Sequence, residues 1–558
     1  MKKQSVKPLV DIAVVPMTYS DIFVDNPKSI KEYILPIGRT HTLQLCAQFC
    51  SEISMKEQDK NLLSFLTTNF SYVCKKYANE LCPFLVKHTT PTDPDYYFLS
   101  PTNLYYIMEI AMTLNDDIGV IKAEECEEYF FKACLVANDI FLEKIKKLQS
   151  IPLEDNKLSL YKLILAGNSG YCSYMGRDIN FVFLTQTARC YFFFYYLEQK
   201  EKELLNRFLT KYAITSWHQY IEVLTKELIS VTKYLNEREV LWIQEEKHSL
   251  GEMILSNYAQ YDNTGIDEDF DFCRLRKAPL YKQPNGQYLV LSKLFFAECL
   301  YNGLYFEIKT LYEELNHSNN FRSLIGEKFS EEKVFYPLIE RIFPSKGVIK
   351  LSGQTFRKQG CQAEPDYYVR NGNKIFLFES KDTLCSSETK TSYCVETILD
   401  VLRERFYKQN KKPKAIRQLL RNIEKIGNDG IESPNNIRNA RIYPIIVVYD
   451  SFFDTNYVNY FLDQWFQEEL QNRALGVKIQ KVYPIVVVSI DILIMLDGVL
   501  GKPKARLEDI LLGYIDNILM SNKVGLYSFS EYALKYTQSQ RSVPRCIKDF
   551  VSKVPKGQ

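Results

Sequence analysis

The stretch QAEPDYYVRNGNKIFLFESKD, residues 362–382, contains two short apolar segments separated by a turn. The turn residues Asn371, Gly372 and Asn373 favour a tight reversal of the chain. The flanking segments QAEPDYYVRN and KIFLFESK are rich in aromatic and β-branched residues, which predicts two strands joined by that turn. Charged residues lie in both segments, and they are the first candidates for a functional site.

These charged residues are arranged by the strand geometry. Because side chains alternate across a strand, Glu379 and Lys381 lie on one face of the second strand. Burying such charges in an apolar strand requires partners, and Asp366 on the neighbouring strand can supply one. Catalytic roles are therefore predicted for Asp366, Glu379 and Lys381.

The chemistry of such a group follows from its charges. Two carboxylates held close together repel each other unless a cation lies between them, and hard divalent ions such as Mg²⁺ favour oxygen ligands. Mn²⁺ is a possible substitute for Mg²⁺. A lysine beside the ion can orient an attacking water, or deprotonate it if the pKa of the lysine is lowered. The group therefore predicts metal-assisted attack on a phosphodiester.

The tetrapeptide PDYY occurs twice, at residues 94–97 and 365–368. No Glu-x-Lys follows the upstream copy at strand spacing. Asp93, Pro94 and Asp95 predict a turn there, and a helix is predicted after Pro101. We therefore assign a catalytic role to the downstream copy alone.

Helical and extended patterns alternate around the motif. FSEEKVFYPLIERIF, residues 329–343, predicts an amphipathic helix that kinks or restarts at Pro337. Further strands are predicted at KGVIKLSGQTF, RIYPIIVVYD and VYPIVVVSI, and further helices at KAIRQLLRNIEKI and RLEDILLGYIDNIL. The predicted order around the motif is helix, three strands, helix and strand.

Asp366 with Glu379-Ser380-Lys381 thirteen positions on resembles the motif of the PD-(D/E)xK nuclease superfamily. The resemblance covers about residues 321–450 and implies an α/β, restriction-endonuclease-like domain, with a mixed sheet flanked by helices. It implies that Asp366, Glu379 and the backbone carbonyl of Ser380 hold Mg²⁺, that Lys381 serves the water, and that the products carry a 5′-phosphate and a 3′-hydroxyl. Similar fused nuclease domains occur in restriction and anti-phage defence proteins.

Two further residues follow from the resemblance. Many members carry an acidic residue on the first helix, and Glu331 is the candidate for this metal ligand, with a solvated charge at the helix start as the alternative. Some members place a Gln on the helix after the third strand with a Tyr one turn later. Gln418 fits the first position, while Asn422 occupies the second.

Residues 403–425 are densely basic. A basic stripe beside a metal site can bind phosphates with salt-dependent affinity that does not depend on base sequence. The alternative interpretation is a solvated helix face preceded by a lysine-rich loop. The predicted nucleic-acid-binding residues are Lys411, Lys412, Lys414, Arg417, Arg421 and Gln418.

The first half of the chain shows apolar residues at helical spacing, as in residues 121–149 and 201–235. An acidic, turn-rich stretch near Asp262 suggests a boundary, and APLYKQPNGQYLVLS predicts a hairpin around Asn285 and Gly286. We therefore expect a mostly helical domain at residues 1–262, with a role in regulation, substrate selection or oligomerisation. Residues 263–558 form the nuclease-like region.

Composition excludes several classes of function. The 558 residues carry a net charge of only +2, so any binding of nucleic acid requires a local basic patch. The 14 cysteines form no CxxC pair, the N-terminus lacks the features of a signal peptide, and no apolar stretch is typical of a membrane span. No phosphate-binding loop or Gly-x-Ser-x-Gly turn is present. These features predict a cytoplasmic protein.

The leading hypothesis is a Mg²⁺-dependent nuclease that acts on DNA, with a helical half that mediates regulation, homodimerisation or binding of a partner protein. A different class of protein would bind nucleic acid, or act as a scaffold, through a nuclease-like domain that no longer cuts. A third hypothesis keeps the chemistry and changes the substrate to RNA.

Overall fold

A computed structural model describes most of the chain, namely residues 14–52, 62–87, 95–114, 121–146, 157–171, 178–233, 241–259, 270–316, 320–358, 364–410, 412–428, 437–500, 506–521, 526–538, 543–545 and 547–548. None of the helices in these ranges has the length and apolar character needed to cross a membrane.

The chain divides into two compact units, each made of separate segments. The first comprises Met1–Ser150, Tyr174–Ile179 and Glu222–Cys299, and the second comprises Ile151–Ser173, Asn180–Ile221 and Leu300–Gln558. This division differs from the predicted single boundary at residue 262, because a segment of the first half joins the second unit.

The first unit is mostly helical. Its α-helices are Tyr19–Ile22, Ile30–Ile34, Arg39–Glu52, Leu62–Asn69, Ser71–Lys76, Ala78–Lys87, Pro101–Ala111, Ala123–Lys146, Leu250–Asn257, Cys273–Lys277 and Lys293–Glu298. Residues of both units occur in the helices Ile179–Lys200 and Trp217–Lys233 and in the π-helix Cys299–Gly303.

The described residues of the first unit form five short strands: β1 (Val14–Pro16), β2 (Asp95–Tyr97), β3 (Trp242–Gln244), β4 (Leu280–Lys282) and β5 (Gln287–Val290). The predicted hairpin is confirmed, since β4 and β5 pair antiparallel and Gly286 adopts a φ of 87° in the turn.

The upstream PDYY copy also lies in this unit. Asp95 belongs to β2, which pairs parallel with β1, so this residue lies in a strand and not in the predicted turn. The helix predicted after Pro101 is confirmed, and Ser100 caps it by accepting a hydrogen bond from the Asn103 N–H.

The second unit combines helices with a mixed sheet. Its α-helices are Lys157–Tyr171, Ile179–Lys200, Lys202–Lys211, Leu304–Asn316, Phe321–Ile325, Tyr336–Ile342, Gly353–Lys358, Ser387–Lys390, Val395–Leu402, Ala415–Asn428, Val458–Gln471, Ile490–Asp497, Leu507–Tyr514 and Phe529–Gln538. The π-helical segments of this unit include Gly326–Phe335, Arg403–Tyr407 and Ile515–Leu519, and Ser451–Asp454 is a 3-10 helix.

The strands of this unit are β6 (Ile349–Ser352), β7 (Tyr367–Asn371), β8 (Lys374–Lys381), β9 (Lys408–Gln409), β10 (Lys412–Pro413), β11 (Ala440–Val448), β12 (Ile479–Val482) and β13 (Val486–Ser489). The main sheet has the order β12-β11-β8-β7-β6, and β13 also pairs with β11. β6, β7 and β8 are antiparallel, whereas β8, β12 and β13 are parallel to β11.

The parallel pair β8–β11 explains the apolar character of both strands. Strands covered on both faces have continuous apolar runs, and Ile445, Ile446, Val447 and Val448 are all buried. Parallel neighbours need a long crossover, which here contains the helix Ala415–Asn428. The predicted helix, three strands, helix and strand follow one another in that order, but the predicted first strand ends at Ser352, where the helix Gly353–Lys358 begins, and two further α-helices precede Ala415–Asn428.

Pro337 acts as the sequence predicted. A π-helix, Gly326–Phe335, ends where the α-helix Tyr336–Ile342 begins, and Pro337 occupies the first turn of the new helix. Proline is tolerated there because the first N–H groups of a helix have no partner within it.

Two buried asparagines of the second unit differ in their hydrogen bonding. Asn422 is 1% exposed, and neither polar atom of its amide has a partner among the described residues. Asn459 is 4% exposed, but its amide donates to the Ile485 carbonyl (2.8 Å) and accepts from the Val487 N–H (2.9 Å).

We expect Asn422→Leu to stabilise the protein, because an unsatisfied buried polar group costs about 1–3 kcal/mol. Asn459→Leu should lower the free energy of unfolding by a similar amount, since it leaves two backbone groups without partners. The midpoint of thermal unfolding measures both effects. Equal destabilisation by the two substitutions would contradict this account of Asn422.

Candidate active site

The antiparallel pairing of β7 with β8 brings Asp366 and Glu379 together. The register pairs Tyr367 with Phe378, so one position further it sets Asp366 opposite Glu379. Residues directly opposite each other on antiparallel strands project to the same face of the sheet. The structure therefore brings together the two carboxylates that the sequence predicted to be neighbours.

Lys381 completes this cluster. Its Nζ lies 3.1 Å from Glu379 Oε2 and 3.8 Å from Asp366 Oδ2. The Glu379 side chain is completely buried, whereas Asp366 and Lys381 are partly exposed. The cluster thus has a buried end at Glu379 and an end that solvent and ligands can reach.

Backbone groups fix Asp366 in this position. The Ser380 N–H donates to Asp366 Oδ2 (2.7 Å), and the Gly353 N–H donates to the Asp366 carbonyl (2.8 Å). The N–H and C=O of one residue in a strand point to the same side, so the Ser380 carbonyl also faces β7. The register extended to this point places Pro365 opposite Ser380, and proline has no N–H to donate. The geometry therefore fits the predicted use of the Ser380 carbonyl as a ligand.

The Glu379 carboxyl lies in an unfavourable electrostatic environment. Burial raises the pKa of Glu379 well above its usual range, the charge of Asp366 raises it further, and Lys381 opposes both effects. Oε2 accepts the hydrogen bond from Lys381, but Oε1 is buried without a partner among the described residues. An oxygen-preferring cation would compensate this oxygen, so the residues fit Mg²⁺ or Mn²⁺.

The cluster offers few side-chain ligands for a metal ion. In the part of the chain that the structure describes, no group of three or more His, Cys, Asp or Glu side chains converges to hold an ion. Mg²⁺ is commonly bound through one or two carboxylates, with waters and substrate phosphate oxygens as its other ligands. The pair Asp366 and Glu379 lies within that range.

Lys381 retains its proton in this environment. Burial alone would lower the pKa of Lys381, but the charges of Glu379 and Asp366 outweigh burial and raise it. Lys381 would need a lowered pKa to act as a base, and the protein by itself does not provide one.

Glu331 lies near the cluster. It belongs to the π-helix Gly326–Phe335 and accepts a hydrogen bond from the Tyr336 hydroxyl (3.2 Å). Its charge contributes to the raised pKa of Lys381. Burial, followed by the charges of Glu331 and Asp366, also raises the pKa of Tyr336. The neighbouring Glu332 instead accepts a hydrogen bond from Gln354.

Part of the basic segment lies close to these residues. Burial and then the positive charge of Lys381 lower the pKa of Lys414, and Arg405 and Lys412 contribute to the same effect. Lys414 immediately precedes the helix Ala415–Asn428, and Lys412 is exposed in β10. Lys412 and Lys414 thus create a positive field beside the cluster.

The other members of the predicted stripe have different surroundings. A phosphate-binding role for Arg417 requires its charge to be available, but Arg417 is paired within the protein. Its Nη2 lies 2.7 Å from Glu469 Oε1 and 3.1 Å from the Tyr407 hydroxyl. Arg421 is exposed and Gln418 is half-buried on the same helix. Lys411 lies outside the described residues.

Sequence reasoning missed Tyr336 and Asp382. The charges of both Glu331 and Asp366 raise the pKa of Tyr336. Asp382 directly follows Lys381 in the sequence. Asp382 belongs to the stretch that defines the motif, and its charge at the end of an apolar strand was a signal that it needs a buried partner.

Comparison with protein-family models, with curated protein sequences and with solved structures gives no match for this chain.

We expect Glu379→Gln to raise the melting temperature of the metal-free protein, because it removes a buried charge beside Asp366. Because the pKa of Glu379 is raised in the folded state, stability falls as pH rises from the ordinary pKa of a glutamate toward the raised one, and the advantage of the variant should grow over that range. The exposed Glu388→Gln serves as the control. An unchanged or lower melting temperature at every pH would contradict the electrostatic account of Glu379.

Proposed function

We propose that the protein is a Mg²⁺-dependent nuclease of the PD-(D/E)xK type that hydrolyses phosphodiester bonds in DNA. The observation that carries the proposal is the cluster of Asp366, which immediately precedes β7, with Glu379 and Lys381 of β8. The sheet supports it, because a restriction-endonuclease-like core also places antiparallel strands carrying this motif before a parallel strand. A role in restriction or anti-phage defence follows from the same resemblance.

The metal would be held by Asp366, Glu379 and the Ser380 carbonyl. When bound, Mg²⁺ supplies neutralisation of the negative charge that develops on the phosphoryl group during attack. The partnerless Oε1 of Glu379 supports this ligand set, because it is a buried acceptor to which the described residues donate no hydrogen bond. Glu331, whose charge acts on Lys381, is the carboxylate that the resemblance adds to this set.

The chain's own contribution to the reaction centres on Lys381. Its protonated Nζ can donate hydrogen bonds to a water or to a phosphate oxygen in the solvent-accessible part of the cluster. Because the charges of Glu379 and Asp366 raise the pKa of Lys381, any neutralisation of those carboxylates lowers it toward the range useful for proton transfer.

Nucleic acid would be held beside the cluster by Lys412 and Lys414. The lysines place positive charge next to Lys381, which is the location of the scissile phosphate in this proposal. Phosphate contacts of this kind position the backbone without reading base sequence. Arg417 would contribute less, because Glu469 already neutralises its charge.

Cleavage assays test the proposed reaction. Wild type should cut duplex DNA in Mg²⁺ or Mn²⁺, whereas Asp366→Asn and Lys381→Met should lose at least about 100-fold in rate, the usual size of such catalytic contributions. Glu388→Gln is the control. Single-stranded DNA and RNA, assayed in parallel, identify the substrate class. Equal cleavage by wild type and both variants would remove the assignment, and binding without cleavage would favour a nucleic-acid-binding protein.

Binding assays test the proposed phosphate contacts separately. In the Asp366→Asn background, which prevents cleavage, Lys412→Ala and Lys414→Ala should each weaken DNA binding and reduce the slope of log affinity against log salt by about 1. Arg417→Ala should change the slope less, because its charge is paired in the free protein. A larger effect of Arg417→Ala than of Lys414→Ala would refute this ordering.

A further inference from the structure

Asp382 connects the end of β8 to the helical segment that carries Glu331. Its carboxylate accepts hydrogen bonds from Arg322 Nη2 (2.6 Å) and from Ser330 Oγ (2.5 Å). Arg322 lies in the helix Phe321–Ile325, and Ser330 is buried in the π-helix that follows it. The Asp382 side chain, next to Lys381 in the sequence, therefore binds two residues of this segment.

Tyr449 holds the same segment from the neighbouring strand. It follows the last residue of β11, and its hydroxyl donates to the Ser330 carbonyl (2.9 Å). The same hydroxyl accepts a hydrogen bond from Ser380 Oγ (3.3 Å). Ser330 is thus fixed through both its side chain and its carbonyl by the ends of β8 and β11.

Glu331 directly follows Ser330, so these contacts determine where its backbone lies. The segment is π-helical, a conformation that is rare and is frequent at functional sites. The contact between Asp382 and Ser330 affects the cluster because Asp382 directly follows Lys381 and Ser330 directly precedes Glu331. Tyr336 then orients the Glu331 carboxylate through its hydroxyl.

We propose that Asp382 and Ser330 are positioning residues, which hold the segment of Glu331 against the ends of β8 and β11, so that the charge of Glu331 acts on Lys381 and strengthens the binding of a divalent cation at Asp366 and Glu379. This inference rests on the proposed function and adds to it the residues that determine metal affinity. Neither residue is a catalytic residue, since both act through Glu331.

The test measures binding of Mn²⁺ alone to the full-length protein, from the electron paramagnetic resonance signal of free Mn²⁺. We expect Ser330→Ala and Asp382→Asn each to weaken Mn²⁺ binding about 10-fold, the lower end of the effect found for residues that orient metal ligands. The Mg²⁺ concentration for half-maximal cleavage should rise by the same factor.

A double-variant comparison separates positioning from a general loss of structure. Because Ser330 acts through Glu331, Ser330→Ala should weaken Mn²⁺ binding much less in a Glu331→Gln background than in wild type. Asp497→Asn is the matched control, since Asp497 is a buried carboxylate of the same unit that pairs with Arg341 (3.0 Å). It should lower the melting temperature and leave Mn²⁺ affinity unchanged.

The possible outcomes distinguish the two proposals. Unchanged Mn²⁺ affinity in Ser330→Ala and Asp382→Asn, or equal effects of Ser330→Ala in both backgrounds, would overturn the positioning role alone. Mn²⁺ binding by wild type without cleavage of any nucleic acid would overturn the proposed function, while the affinity comparison would still decide the roles of Ser330 and Asp382. Absence of Mn²⁺ binding by wild type would overturn both.

Discussion

The register between β7 and β8 is the constraint on which the site depends. It sets Asp366 opposite Glu379, and a slip of one residue would turn one of these carboxylates to the other face of the sheet. With the register fixed, two negative charges and the single positive charge of Lys381 share one small volume. One carboxylate then has no compensating cation within the cluster, so the pKa of the buried Glu379 is raised, and its Oε1 has no hydrogen-bond partner among the described residues.

The local features of this arrangement could be predicted from the sequence because short-range geometry determines them. Alternation along residues 374–381 places Glu379 and Lys381 on one face, and Gly372, at a φ of 65°, provides the turn that returns the chain. The apolar runs of β11 and β13 likewise identify buried strands without any knowledge of their neighbours. Each of these inferences uses only residues close together in the chain.

The surroundings of the site could not be predicted in the same way, because they depend on residues distant in sequence. Arg417 belongs to a basic stripe by its spacing, but the helix Val458–Gln471 presents Glu469 to it and neutralises its charge. Ser330 and Asp382 are 52 positions apart, and no periodic pattern links them. The division into two units is also non-local, since the segment Asn180–Ile221 joins residues from Leu300 onward, across the intervening segment Glu222–Cys299 of the first unit.

In the proposed function, cation binding and phosphate binding at the cluster would depend on each other. Without a cation, Asp366 and Glu379 repel a phosphodiester, and Lys381 is occupied by its hydrogen bond to Glu379. A divalent cation at the carboxylates removes that repulsion and weakens the hold on Lys381, so the affinity for an anionic strand increases. Linkage requires the reverse effect to be equal, so a bound strand increases the affinity for the cation by the same factor. In the same proposal, the positive charge of Lys414 would weaken binding of the cation alone, so a bound strand would favour the filled site.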